Sequence, residues 1–161
     1  MSPPSSGRTT SSLQPVKNDT GRLAYCGPYI LSALTGYPIS RVEEEVNRYR
    51  CVPPDTKIVG TDALDVAAAA YALGYEMTLA AEFWSLEKKA RPTLWQWMQK
   101  PRNAWRHYLL AIHRGKEGHW ILVKGVKICD TYTGGQWTFV VDGPHRGCKI
   151  MAIYEIKSRH G

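Results

Sequence analysis

The first helix predicted by the hydrophobic pattern lies shortly after a polar N-terminal stretch. Its apolar positions are 30, 31, 33 and 34, and Gly36 follows as a stop signal. Pro28 suits the first turn, because a proline there gives up no helical hydrogen bond and its φ is already right. The pattern therefore predicts a buried helix that begins close to Cys26.

Three more helices are predicted downstream. Ser40 opens a capping-box pattern ahead of the second helix. Thr61 is the expected cap of a third helix over 62–73, whose run of alanines permits close packing against a neighbour. Thr93 is the expected cap of a short helix over 94–98.

From position 106 onward the pattern changes to short apolar or alternating runs separated by glycine-containing turns, which is typical of strands joined by tight turns. The predicted strands cover 108–113, 119–123, 126–130, 137–141 and 149–156, in the order of a meander, with an earlier one at 75–79. Helices first and strands afterwards predict an α+β domain, in which an N-terminal helical layer packs on a C-terminal antiparallel β-sheet.

Composition divides the chain into a tail and one domain. Residues 1–17 are rich in Ser, Thr and Pro and predict a disordered tail, followed by a single domain over 18–157. No apolar run is long enough to span a membrane, and no apolar segment near the N-terminus marks export. We therefore expect a cytoplasmic location, with delivery by a dedicated secretion system or particle left open.

The net charge changes this picture only slightly. Lys and Arg number 21 against 14 Asp and Glu, which gives +7. Such an excess favours acidic partners, nucleic acid among them, but the basic residues fall into small separate groups that are typical of a solvated surface. The four cysteines form no CxxC pair, so neither a zinc ribbon nor a dense disulfide framework is predicted.

Cys26 is the first candidate for chemistry. At a helix N-terminus the unpaired N–H groups and the helix dipole favour a thiolate, the reactive form of cysteine. The alternative is that Cys26 is a small buried hydrophobe, which is the usual fate of a free cysteine.

His119 and Asp130 are the second candidate. If Lys124-Gly125 is a two-residue hairpin loop, the two residues lie directly opposite each other with Cβ atoms ~5 Å apart. The carboxylate then fixes one imidazole nitrogen and leaves the other to face a nucleophile. Each residue also has an ordinary interpretation, as a strand histidine and as a loop-initiating Asx residue. Together with a thiol at a helix start, they predict Cys–His–Asp catalysis.

The remaining candidates have weaker support. They are the strand-end histidines His107 and His113, His145 in a Gly-Pro-rich turn, His160 near the C-terminus, Asp142 as a fallback orienting group, and the cysteines Cys51, Cys129 and Cys148. Alternation places Cys129 on the opposite face of its strand from His119. A zinc site at Cys26, His119 and Asp130 is chemically possible, but the spacing fits a thiol hydrolase better.

Several short motifs together carry a family resemblance. They are Tyr25-Cys26-Gly27-Pro28 at a helix start, Gly60-Thr61, Gly74-Tyr75, and Gly118-His119-Trp120-Ile121-Leu122-Val123 with Asp130-Thr131-Tyr132 after it. In this order the chain resembles the papain-like cysteine peptidases, closest to the branch related to the bacteriocin-processing peptidases, over about 23–156. The resemblance implies a papain-like fold with Cys26 as nucleophile, His119 as general base and Asp130 as orienting group. Such chemistry needs neither a metal nor an organic cofactor.

One departure concerns the oxyanion. The family usually has a glutamine about six residues before the cysteine, whose amide donates to the oxyanion, whereas this chain has Thr20 there. Asn18 is the substitute amide donor that we expect, together with the backbone N–H of Cys26. A cysteine peptidase that cleaves a peptide or related acyl or isopeptide bond is thus the first hypothesis. An inactive papain-like module that binds a protein partner is the second, and a basic nucleic-acid-associated protein is the third.

Overall fold

The computed structural model describes residues 16–21 and 25–160. Its helices are α1 (Cys26–Thr35), α2 (Ile39–Arg50), α3 (Ala63–Ala72) and the short α4 (Leu94–Met98). Its strands are β1 (Tyr75–Glu82), β2 (His107–Arg114), β3 (Glu117–Lys124), β4 (Lys127–Cys129), β5 (Thr138–Phe139) and β6 (Ile150–Ser158). Single turns of 3-10 helix lie at Lys88–Ala90 and Val140–Asp142. The protein is therefore α+β, as the sequence predicts.

The strands form one six-stranded antiparallel sheet in the order β1-β6-β2-β3-β4-β5. The predicted meander holds for β2 to β5 and is wrong at the other edge, where β6 is inserted between β1 and β2. Alternation of apolar and polar residues reports which face of a strand is buried and carries no information about its neighbours. The place of β6 could therefore not be deduced from its own pattern.

Both faces of the sheet are covered. Under α1, α2 and α3 lie the side chains at positions 109, 111, 120, 122, 129, 152 and 156. The opposite face carries positions 108, 110, 112, 121, 123, 128 and 153, which pack with Leu94 and Met98 of α4. α1 contacts β3. The first residue of α1 and the first residues of β3 line one common cleft at an end of the sheet.

Two of the predicted helix caps are wrong. The hydroxyl of Ser40 does not cap α2 but donates to Asp19 Oδ2 at 2.5 Å. The cap of α3 is Asp62 rather than Thr61, because Asp62 and Asp65 form a reciprocal capping box in which each carboxylate accepts the other residue's backbone N–H. An Asp and a Thr in adjacent positions are both good caps, so sequence alone leaves the choice open by one residue.

Most of the predicted tail, residues 1–15, lies outside the described residues. Val16 donates its N–H to the Gly135 carbonyl at 3.3 Å, and the carbonyl of Lys17 accepts from the N–H of Ile39 at 2.9 Å. Contacts with the domain thus begin two residues before the predicted boundary at 18. Within the described residues, no helix has the length and apolar character that crossing a membrane requires.

Candidate active site

Cys26 is the first residue of α1. The preceding residue, Tyr25, is extended, and its carbonyl accepts the first helical hydrogen bond from Tyr29. The first turn contains no acidic side chain that would compete for the free N–H groups and the positive end of the helix dipole. A Cβ at position 27 would overlap the Thr61 hydroxyl, so the glycine there lets the segment before α3 lie directly against this turn.

The β3–β4 hairpin has a different register from the predicted one. Its two-residue loop is at 125–126 rather than 124–125, and the register places Asp130 opposite Ile121. The predicted direct pairing of His119 with Asp130 is therefore wrong. Moving the loop by one residue shifts every partner by two positions, and a shift of two keeps each side chain on its face.

The two side chains nevertheless meet, as diagonal neighbours on one face of the sheet. His119 Nε2 lies 2.6 Å from Asp130 Oδ2. This contact leaves Nδ1 of the ring for Cys26, which interacts with the imidazole and helps to raise its pKa. The structure thus brings Cys26, His119 and Asp130 together, with the imidazole in contact with the carboxylate and sharing a cleft with the thiol.

Asp130 is fully buried and every oxygen of its carboxylate has a partner. Oδ1 accepts from the backbone N–H of Thr133 at 2.9 Å, and the Thr133 hydroxyl bonds back to the main chain of Asp130. Oδ2 accepts from both His119, at 2.6 Å, and His145, at 2.5 Å. The loop after β4 therefore holds the carboxylate in a single orientation.

The contacts within this cluster favour a protonated His119 and an ionised Asp130. Burial alone would lower the pKa of His119, but its hydrogen bonds with Asp130 and Cys26 raise it to about 9. Burial alone would raise the pKa of Asp130, but the hydrogen bonds from His119 and His145 lower it to about 2. An imidazolium beside the Cys26 sulfur and a carboxylate behind it is the arrangement expected at neutral pH.

His145 is the residue that sequence reasoning missed. It follows Gly143-Pro144 in a turn, where polar residues are usually exposed, yet it is completely buried. Its Nδ1 faces the guanidinium of Arg114, whose Nη1 lies 3.4 Å away. No periodicity marks this position, and only a buried partner such as Asp130 explains why a turn histidine lies in the interior.

Cys26 and His119 open into a cleft of about 790 Å³. Aromatic residues make up much of its lining: Tyr25, Trp84, Trp120, Tyr132 and Tyr154. Gly60 and Gly118 also line it. Among the described residues of the lining, Asp62 and Glu117 are acidic and none is a lysine or an arginine. The cleft is thus apolar and acidic in a chain whose net charge is +7.

Asn18 is not brought to the other three predicted residues. It is exposed, close to the start of α2, and does not belong to the described lining of the cleft. Its Oδ1 accepts from the backbone N–H of Thr20 at 3.1 Å and from the Thr20 hydroxyl at 2.6 Å. Its role as an oxyanion donor stays a prediction, and the N–H groups at the start of α1 lie next to the sulfur.

Of the weaker candidates, Cys129, His113 and Cys51 lie away from this cluster. Cys129 is buried under the helices, on the face opposite His119 as predicted, and burial raises the pKa of its thiol to about 12. His113 contacts Arg91 at 2.6 Å, and Cys51 is exposed at the end of α2. Cys148 is the one further thiol of the described residues that faces this cluster, since its sulfur lies 4.0 Å from Nδ1 of His145. Arg114 faces the same nitrogen at 3.4 Å, and Cys148 does not belong to the described lining of the cleft, so it is not placed as Cys26 is.

The imidazole nitrogens of His119 and His145 and a carboxylate oxygen of Asp130 lie close enough together to serve as ligands of one metal ion. The contacts behind His145 do not fit that use. A neutral imidazole that binds a metal through Nε2 carries its proton on Nδ1 and needs an acceptor there. Arg114, which offers only donors, is the nearest group to Nδ1, and the weakly accepting sulfur of Cys148 is 4.0 Å away.

Comparison with known proteins adds no identification to this geometry. No protein-family model matches the chain, and no curated protein matches it.

Proposed function

We propose that the protein is a cysteine peptidase with a papain-like fold, a thiol hydrolase that cleaves a peptide or related acyl or isopeptide bond. The observation that carries the proposal is the placement of Cys26 beside the His119 imidazole in one cleft, with the Asp130 carboxylate hydrogen-bonded to that ring at 2.6 Å. The arrangement combines a nucleophile, a base within reach of it and a group that orients the base.

The charges of the cluster support a thiolate mechanism. The Cys26 sulfur attacks the substrate carbonyl carbon, and the carbonyl electron pair moves to oxygen to give a tetrahedral intermediate. Collapse of this intermediate breaks the C–N bond, while His119 donates its proton to the leaving amine. His119 then takes a proton from water, which attacks the thioester and releases the carboxylic acid and the thiolate.

The oxyanion of that intermediate needs hydrogen-bond donors. The backbone N–H of Cys26 lies at the N-terminus of α1, where helical N–H groups have no intrahelical partner. The helix dipole adds to the stabilisation of a negative charge at this point. The resemblance implies a glutamine as the second donor; this chain has Thr20 at that position, and the substitute expected from the sequence, Asn18, lies outside the described lining of the cleft.

A thiol-directed peptide electrophile, such as a peptidyl vinyl sulfone, tests the proposal. We expect labelling at Cys26 and none at Cys51, Cys129 or Cys148 when the modified protein is digested and mapped. Labelling of Cys26 should be lost in His119→Ala, while Cys51→Ala should label as the wild type does. Equal labelling of Cys26 and the exposed Cys51 would contradict the proposal, because it would indicate ordinary thiols.

An inactive module that binds a peptide or protein partner is the second candidate. The position of Asn18, outside the described lining of the cleft, favours it, because loss of an oxyanion donor costs ~3–4 kcal/mol of transition-state stabilisation. Peptides that bind the wild type and Cys26→Ala equally, with no turnover by either, would support this candidate.

The acidic lining argues against nucleic acid in the cleft, and a salt titration of binding tests the remaining basic surface.

A further inference from the structure

One oxygen of Asp130 serves two imidazoles. Nε2 of His119 and Nε2 of His145 both lie within 2.6 Å of Oδ2, and the two rings have their centroids 5.2 Å apart. His145 is as fully buried as the carboxylate. Its ring does not belong to the described lining of the cleft, so its contact is with the orienting group rather than with a substrate.

The contacts of Arg114 determine the proton position on His145. A guanidinium donates hydrogen bonds and accepts none, so Nδ1 of His145, at 3.4 Å, must be the acceptor. The proton of a neutral ring is then on Nε2, which donates it to Asp130. Arg114 is itself fixed, because it donates to the Pro144 carbonyl at 2.8 Å and lies over the Tyr132 ring at 4.5 Å.

We propose that His145 and Arg114 form a positioning pair for Asp130, which makes the proposed triad the exposed end of a longer chain, Cys26–His119–Asp130–His145–Arg114. The inference rests on the proposed function for its kinetic consequence. His145 holds the carboxylate against His119 by donating to the oxygen that the two rings share. Arg114 keeps the proton of His145 on the nitrogen that faces Asp130.

The groups around the two imidazoles come from several elements. Facing His119 are Cys26 from α1, Asp130 at the end of β4, and His145. The ring of Tyr132 stands edge-on to both imidazoles, with centroids 5.0 Å from His119 and 5.2 Å from His145.

On its outer side His145 faces Arg114 from β2, and Cys148 lies ahead of β6 with its sulfur 4.0 Å from Nδ1. Of the two neutral tautomers, the one with its proton on Nε2 satisfies both the carboxylate on one side and the guanidinium on the other.

Replacement of the donor tests the positioning role in the kinetics. His145→Leu fills much of the same space but has no N–H to donate to Asp130. It should lower kcat by about 10²-fold with little change in KM, because a carboxylate displaced by about 1 Å misdirects the base. The basic limb of the pH profile should move to lower pH, since His119 loses part of its support from Asp130. His145→Gln restores an N–H donor and should recover most of the loss.

A matched control is His113→Gln, since His113 also contacts an arginine but has no contact with Asp130. It should leave kcat and the pH profile unchanged. Unchanged kinetics in His145→Leu would overturn the proposal, and so would a glutamine variant no better than the leucine variant, because space filling rather than donation would then explain the effect. Thermal unfolding of each variant identifies any that fails to fold.

Arg114 gives a test that does not depend on catalysis. In long-range ¹H–¹⁵N correlation spectra of the wild type, His145 should show the Nε2–H tautomer. Arg114→Met should add the Nδ1–H tautomer, whereas Arg114→Lys should not. A wild-type Nδ1–H tautomer would overturn the pair even if the protein is an active hydrolase. If the tautomers are as stated but no substrate is turned over, the failure lies with the proposed function.

Discussion

His119 and Asp130 are hydrogen-bonded at 2.6 Å although the sheet does not pair them. Asp130 is one residue beyond β4, and the loop that follows holds its carboxylate through the backbone N–H of Thr133. The orientation of the base therefore depends on a loop and on His145, not on strand pairing.

The first prediction orders the variants of that triad. Cys26→Ala and His119→Ala should each lower kcat by on the order of 10⁵–10⁶-fold, and the double variant should be little worse, because residues that act as one unit are not additive. Asp130→Ala should be milder, since the carboxylate orients the imidazole without handling the transferred proton. Steady-state kinetics on one substrate give all four values. Additive losses in the double variant would show that Cys26 and His119 do not act together.

The second prediction concerns the ionisation of His119. Its pKa of about 9 depends on hydrogen bonds with both Asp130 and Cys26. In Cys26→Ala the pKa should fall below about 9 and stay above the ordinary value of 6.5, because Asp130 remains. NMR titration of the imidazole in the two proteins measures this difference. Equal pKa values would mean that the sulfur and the ring do not interact.

The raised pKa of His119 also makes the free energy of unfolding depend on pH. Folded His119 holds its proton more tightly than unfolded His119, so its contribution is fully present below 6.5 and is lost as pH rises through about 9. Asp130 behaves oppositely: its contribution is present above 3.8 and is lost as pH falls through about 2. In urea titrations, His119→Gln should lack the loss of unfolding free energy between pH 6.5 and 9 that the wild type shows.

The third prediction tests how α1 is seated. Gly27→Ala should destabilise the fold by about 1–3 kcal/mol, because the new methyl group overlaps Thr61 and the helix must shift. The shift moves Cys26, so kcat should fall as well. Thr61→Ala relieves part of the overlap. In a double-mutant cycle measured by urea unfolding, the variant with both substitutions should therefore lose less unfolding free energy than the sum of the two single losses. Gly147→Ala, where a Cβ has open space, is the control.

The features of this fold that depend on residues close together in the sequence could be predicted, whereas those that depend on distant residues could not. The short helix over 94–98 begins at its predicted cap, because Thr93 and Gln96 satisfy each other's backbone within one turn. α1 ends at Gly36 in a left-handed conformation for the same local reason. The insertion of β6 beside β1 is a long-range pairing, and nothing in the pattern of either strand specifies it.

The candidate site divides in the same way. The contact of His119 with Asp130 could be predicted, because any even shift of the hairpin keeps both side chains on one face. The register itself could not, since the glycine at 125 suits either of two adjacent loops. His145 was assigned no role, because its burial depends on a carboxylate 15 positions away in the sequence.

The fourth prediction concerns substrate charge. Asp62 and Glu117 line a cleft in which no described lining residue is a lysine or an arginine, so a peptide with a lysine or an arginine next to the scissile bond should be preferred over its glutamate counterpart. Glu117→Gln should reduce this preference in kcat/KM, and raised salt should do the same. Glu76→Gln, on β1 outside the cleft lining, is the matched control. A preference for glutamate would contradict the role of the acidic lining.

The proposed function depends on a covalent acyl intermediate that Cys26 forms with the help of His119. Intact-mass spectrometry of protein mixed with an activated peptide ester and quenched in acid tests it most directly. We expect a transient mass increase equal to the acyl group, mapped to Cys26, which decays as product appears and is missing in Cys26→Ala and His119→Ala. Product formation by the wild type with no acyl adduct, or an adduct mapped to Cys51 or Cys148, would contradict it.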